Sequence, residues 1–245
     1  MQTTKSERCL NPRSLALELL KENYGQISTR LLLVQEKYFS ILDVETFSPF
    51  SGLHCASFFG IVEVVVGLIE MGCYDVNEVD FSGCGPLGWA ARNGVVKILL
   101  GREEVNPDKP QHSGLTPLSV AAFYGHEGVV KILLGWEEVS PGEPDEWGKT
   151  PLLWAAQRGH EGVVKVLLER EEVNPDKPDV WGRTPLWYAA EGGHEGVAKI
   201  LLGWEEVNPD KLDNAQAPLS HASSRRHQRI VALPESRKAV TPSAS

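Results

Sequence analysis

Cysteine is scarce in this 245-residue chain: Cys9, Cys55, Cys73 and Cys84 stand at irregular spacings with no C-x-x-C pair. That suggests neither a disulfide framework nor a zinc site. No apolar run approaches the roughly 18 residues of a membrane span. The opening MQTTKSERCLNPRS lacks the apolar core of a secretory signal. The expectation is an intracellular, reducing location, the cytoplasm with the nucleus left open. A basic excess is missing as well. Residues 49–211 carry 25 Asp/Glu against 13 Lys/Arg, a net charge of −12, while residues 212–245 carry 2 against 5. A body that acidic repels phosphates, which speaks against nucleic acid and anionic membrane as partners. The short basic stretch SSRRHQR is too small to reverse this.

What the chain does have is repetition. GLTPLSVAAFYGHEGVVKILLGWEEVSPGEPD from 114, GKTPLLWAAQRGHEGVVKVLLEREEVNPDKPD from 148 and GRTPLWYAAEGGHEGVAKILLGWEEVNPDK from 182 are versions of one unit. Leu53, Leu87, Leu118, Leu152, Leu186 and Leu219 occupy equivalent places, at steps of 34, 31, 34, 34 and 33 residues. A period of this length means a stacked array in which each unit buries its apolar flank against the next.

Within a unit the residues dictate two short helices and a turn. In the unit from 148, Thr150 caps free backbone N–H groups and Pro151 suits the first helical position. PLLWAAQR then runs to Gly159, a residue able to take the left-handed backbone that ends helices. HEGVVKVLLE forms a second helix, with Val163, Val164, Leu167 and Leu168 on one apolar stripe. Ala155 and Ala156 allow close helix packing. REEVNPDKPDVWG, rich in Pro, Asp, Asn and Gly, predicts a hairpin-like finger.

The pattern T-P-L-x-x-A-A-x-x-G-H, then V-V-x-x-L-L and D-x-x-G-x-T-P-L, resembles the ankyrin repeat. The resemblance covers roughly 49–212, with a degenerate continuation to about 233. It implies an all-α ankyrin-repeat solenoid of paired antiparallel helices with hairpin-like finger loops. It also implies a non-catalytic protein-binding role on the concave face, with no cofactor. The wording LLGREEVNPDK and TPLxWAAxxGHEGVVK is similar to ankyrin arrays of filamentous fungi. Those often follow nucleotide-binding NACHT-type domains in receptors, so a sensor or autoinhibitory fragment of such a receptor is the alternative.

Two stretches imitate catalytic motifs. GEPDEWGKT at 142–150 ends like a phosphate-binding P-loop, but five residues separate Gly142 from Gly148 where that loop has four. No strand precedes it, Pro151 follows it, and Glu143, Asp145 and Glu146 would repel phosphate. Lys149 is therefore read as the variable residue of its repeat, matching Arg183 and Leu115. HEG at 126, 160 and 194 resembles the start of the zinc motif H-E-x-x-H, yet the second histidine is replaced by Val130, Val164 and Ala198. Each histidine is instead expected at the inter-helix turn, hydrogen-bonding to backbone. The carboxylates of REEVNPDKPD read as a solvated acidic edge, and no G-x-S-x-G occurs. No catalytic or metal residue is assigned.

Recognition then falls to positions that vary between repeats. Trp147 and Trp181 lie at neighbouring finger tips, and Phe123 and Tyr124 end the first helix of the preceding unit. Glu146, Arg158, Arg183 and Glu191 are placed around them. Exposed aromatic and arginine side chains are the usual anchors of interfaces. Packing on the adjacent finger is the competing reading for Trp147 and Trp181. Trp89, Trp154 and Tyr188 are expected to pack against the neighbouring repeat. The partner is another protein, and the array is read as monomeric.

Departures from the repeat mark the ends. Repeat two has lost three residues, RNGVVKILL standing where FYGHEGVVKILL is expected, so its second helix should be short. Residues 213–234 form a degenerate repeat or polar cap, and 235–245 read as a disordered tail. Residues 1–48 read as a helical cap or diverged repeat, with a helical linker to a further domain as the alternative.

Overall fold

The computed structural model describes residues 52–71, 75–80, 82–93, 96–210, 223, 225 and 227–232. The expectations for 1–48, for 235–245 and for most of 213–234 fall outside these residues. The chain divides into two units, the boundary falling between Asn106 and Pro107. Among the described residues every regular element is helical, and none is long and apolar enough to cross a membrane.

The first unit holds α1 (Gly52–Phe59), α2 (Val62–Met71), α3 (Pro86–Asn93) and α4 (Val96–Leu100). Helices α1 and α3 lie against each other, and each packs on its own second helix. Leu53, Val65, Ala90, Ala91, Val96 and Leu99 are fully buried between them. The shortening read from the missing residues is real: α4 has five residues where the second helices of the full-length repeats have seven to ten.

The second unit holds α5 (Pro117–Tyr124), α6 (Glu127–Leu133), α7 (Pro151–Arg158), α8 (Glu161–Leu168), α9 (Pro185–Gly192), α10 (Glu195–Leu202) and α11 (Gln228–Val231). First helices stack on first helices in the order α5, α7, α9, and second helices follow as α6, α8, α10. Two layers result, as the apolar stripes require. Leu118, Leu152 and Leu186 take matching places and are fully buried. Deleting such a side chain to alanine costs about 3 kcal/mol through lost burial and the cavity left behind.

The start and stop signals act as read. Thr116, Thr150 and Thr184 are extended, and their hydroxyls accept from the N–H groups of Ser119, Leu153 and Trp187. Gly159 ends α7 at φ +75°, and a Cβ there would stand 2.5 Å from Nδ1 of His194. Glycine is thus required twice over, by conformation and by the ring lying on it. That histidine lies at the inter-helix turn as expected, and the backbone group it reaches belongs to the preceding repeat. His194 Nε2 donates to the Gln157 carbonyl at 3.1 Å, and His160 Nε2 donates to that of Phe123 at 3.0 Å. His227 repeats the bond to Glu191 at 3.2 Å, and Ile230 beside it is buried.

Candidate functional site

The fingers of the second unit are tight turns closed around an aspartate. Asp145 N–H donates to the Lys149 carbonyl at 3.0 Å, and Gly148 N–H donates back to the Asp145 carbonyl at 2.9 Å. Asp145 Oδ1 accepts from the N–H groups of Trp147 and Lys149 at 2.9 and 2.8 Å. The next finger repeats this: Asp179 Oδ1 accepts from Trp181 and Arg183, each at 2.9 Å. Successive fingers are joined by Glu146 N–H to the Ser113 carbonyl at 3.1 Å and Val180 N–H to the Trp147 carbonyl at 3.0 Å.

Glu171 and Glu172 of the acidic edge are exposed as read, but the finger aspartates are not. Asp80, Asp145 and Asp179 are buried. Each second carboxylate oxygen accepts from an aromatic side chain nine residues on: Trp89 Nε1 at 2.9 Å, Trp154 Nε1 at 3.0 Å and the Tyr188 hydroxyl at 2.8 Å. Buried carboxylates need such donors to offset lost hydration. Burial, followed by the bond to Asp179, pushes the Tyr188 hydroxyl pKa above its ordinary value. The expectation that Trp89, Trp154 and Tyr188 pack against the neighbouring repeat is therefore incomplete, because each is also tied to its own finger.

Between the two fingers and their first helices lies an open cleft of about 340 Å³. Trp147, Trp154, Trp181 and Tyr188 line it, together with Lys149, Arg183, Gln157 and Glu191. Trp147 and Trp181 remain 40% and 43% exposed, so neither is consumed by packing on the adjacent finger. Arg183 carries its guanidinium 4.3 Å from the Trp181 ring centroid and 2.8 Å from Asp179 Oδ2. Glu191 is paired with Arg225 at 3.2 Å.

The remaining sequence candidates form an adjoining aromatic ridge. Phe123 meets Trp154 edge-on at 5.3 Å and Tyr124 at 4.9 Å, and Arg158 lies 4.1 Å over Phe123. Tyr124 and Glu146 are exposed. Of the eight residues singled out from the sequence, Trp147, Trp181, Arg183 and Glu191 share the cleft. Phe123, Tyr124, Arg158 and Glu146 do not line it.

The sequence reading missed Lys149, whose side chain enters the same cleft. Its Nζ lies 4.1 Å from the Trp154 ring, 4.7 Å from the Tyr188 ring and 2.9 Å from Gln157 Oε1. Burial first, and the Arg183 charge second, hold its pKa below the usual lysine range. The signal available was its register with Arg183, which marks a position facing the groove.

Stacked two-helix units joined by finger turns define a helical repeat protein whose variable residues gather on one face. The model of the family "Ankyrin repeats (3 copies)" matches residues 53–140, 87–179, 134–214 and 171–233. The chain belongs to the ankyrin-repeat family, whose repeats generally mediate protein–protein interactions and whose members are typically non-catalytic. No curated protein matches the sequence at a significant level.

Proposed function

We propose that this chain is a protein-binding module that docks its partner on the finger and first-helix face, the concave side of such arrays. The observation that carries the reading is the pair of half-exposed indoles, Trp147 and Trp181, at the mouth of one aromatic cleft. The exposed part of a large aromatic side chain adds little to folding, but supplies much of the affinity when a partner covers it. Phe123, Tyr124, Arg158 and Glu146 form the flank of this docking face. The acidic body favours a protein partner over nucleic acid or membrane. Affinity capture with the wild type and with Trp147→Ala/Trp181→Ala tests the placement. A partner lost by the double variant supports it, and a partner retained equally by both overturns it.

The finer reading, a sensor or autoinhibitory segment of a larger nucleotide-binding receptor, rests on the likeness of the repeat wording to fungal arrays. Its test is genomic: coding sequence upstream of Met1 that specifies a nucleotide-binding domain supports it, and an unrelated upstream gene removes it.

A further inference from the structure

Lys149 and Arg183 hold the same position in successive fingers but are not in the same electrostatic state. Arg183 is ion-paired with its own finger aspartate at 2.8 Å. Lys149 makes no such pair: Asp145 Oδ1 accepts from two backbone N–H groups, and at Oδ2 the Trp154 indole stands where Asp179 has the smaller Tyr188 hydroxyl. Its Nζ donates to the neutral Gln157 Oε1, and among the described residues no carboxylate lies within ion-pair distance of it. The residue is only 8% exposed. Asp145 and Asp179 attract this ammonium from beyond ion-pair distance, but burial and the Arg183 charge outweigh them, so it is held without a directly bonded counter-ion, which is costly. A carboxylate entering from the open side of the cleft would offset that deficit, and burial acting on the Lys149 pKa reflects the same want.

On the footing that the cleft docks a protein, we infer that it takes the side-chain carboxylate of one Asp or Glu of that partner. The carboxylate meets Lys149 Nζ, and the residues flanking it lie on the Trp147 and Trp181 indoles. Other occupants fit less well. A cationic side chain would have to displace Lys149 and Arg183, which already sit over the Trp154, Tyr188 and Trp181 rings. A chain-terminal carboxylate or a phosphate is ordinarily held by a nest of free backbone N–H groups. Here those groups are spent: Trp147, Gly148, Lys149, Val180, Trp181, Gly182 and Arg183 all donate within or between the fingers. A run of several acids would be repelled by the net charge of −12 over residues 49–211. Glu191, the acid in the cleft lining, is turned to account by Arg225. One carboxylate among apolar neighbours is what remains.

The test pans a random heptapeptide phage library on the full chain. Enriched peptides are synthesised with amidated C-termini, so that only side chains supply carboxylates, and each is paired with its Glu→Gln or Asp→Asn version. The expected enrichment is a single acid beside aromatic or proline residues. On the wild type, the acid-to-amide exchange should weaken binding at least tenfold. On Lys149→Met it should change binding less than twofold. The exchange on the wild type is read without any variant protein, so loss of fold in Lys149→Met cannot obscure it. Enriched peptides without an acid, or an equal loss on both proteins, would overturn the carboxylate assignment. If those peptides still depend on Trp147 and Trp181, the docking cleft stands without it. Peptides indifferent to both tryptophans, or no enrichment at all, would overturn the cleft and the carboxylate together.

Discussion

The fingers at Asp145 and Asp179 are built from the same parts and differ in how each aspartate is satisfied. At Asp179 the small Tyr188 hydroxyl leaves room for Arg183, whose Nε and terminal nitrogen both reach Oδ2, at 2.9 and 2.8 Å. At Asp145 the larger Trp154 indole occupies Oδ2, and the point charge of Lys149 turns away to Gln157. One finger is electrostatically complete, and the other leaves a cation seeking a partner. A third variant, at Gln111, has no carboxylate and closes on backbone alone, through Gln111 N–H to the Leu115 carbonyl at 2.9 Å. The turn itself therefore does not need the aspartate. The carboxylate decides which side chains are held against the finger, and so what the cleft presents.

The two fingers should differ most when their carboxylates are removed. Asp179→Ala strands a half-buried arginine, a buried hydroxyl and two N–H groups, and should lower unfolding free energy by about 3 kcal/mol. Asp145→Ala leaves N–H donors unsatisfied but strands no cation, and should lose about 2 kcal/mol. Urea denaturation checks both, and equal losses would remove the distinction. Exchanging the cations for methionine should give opposite signs in the same assay. Arg183→Met, at a position a quarter exposed, should lose about 2 kcal/mol by leaving Asp179 without its ion pair. Lys149→Met should gain about 1 kcal/mol, because an apolar stem replaces an ammonium whose burial and repulsion by Arg183 outweigh its attraction to Asp145 and Asp179.

Function should respond at the rim. Trp147→Ala/Trp181→Ala should weaken a captured partner at least tenfold by calorimetric titration, while lowering the urea midpoint only as far as the covered half of each ring and the Arg183 contact require. The smallest effect concerns pH. With its folded pKa below the ordinary 10.5, Lys149 binds fewer protons folded than unfolded, so stability should rise with pH through the window up to that value. Lys149→Met should lack this increment, and identical alkaline stability profiles would contradict it.

How much of this was legible in the sequence depends on the range over which each feature is determined. The threonine–proline starts, the glycine stops and the leucine at every repeat are local or periodic, and they hold at Thr150, Gly159 and Leu152. The burial of Asp145 and Asp179 was not read, because Pro, Asp and Lys in REEVNPDKPD look like any exposed turn. The recurring pairing of finger aspartate with Trp or Tyr nine residues later was the available sign. The orientation of Lys149 was harder still. It depends on whether a bulky indole or a small hydroxyl stands at the second carboxylate oxygen, a competition between side chains that spacing does not encode. The exposure of Trp147 and Trp181 was not legible either, because spacing does not encode how far a neighbouring side chain covers a finger tip.

The face on which the partner sits is the claim everything else leans on. Amide hydrogen exchange of the full chain, with and without the captured partner, tests it most directly. Slowed exchange is expected at 145–149 and 179–183 and at the C-terminal ends of α5, α7 and α9, with α6, α8 and α10 unchanged. Protection confined to the second helices, with both fingers exchanging as in the free chain, would contradict it.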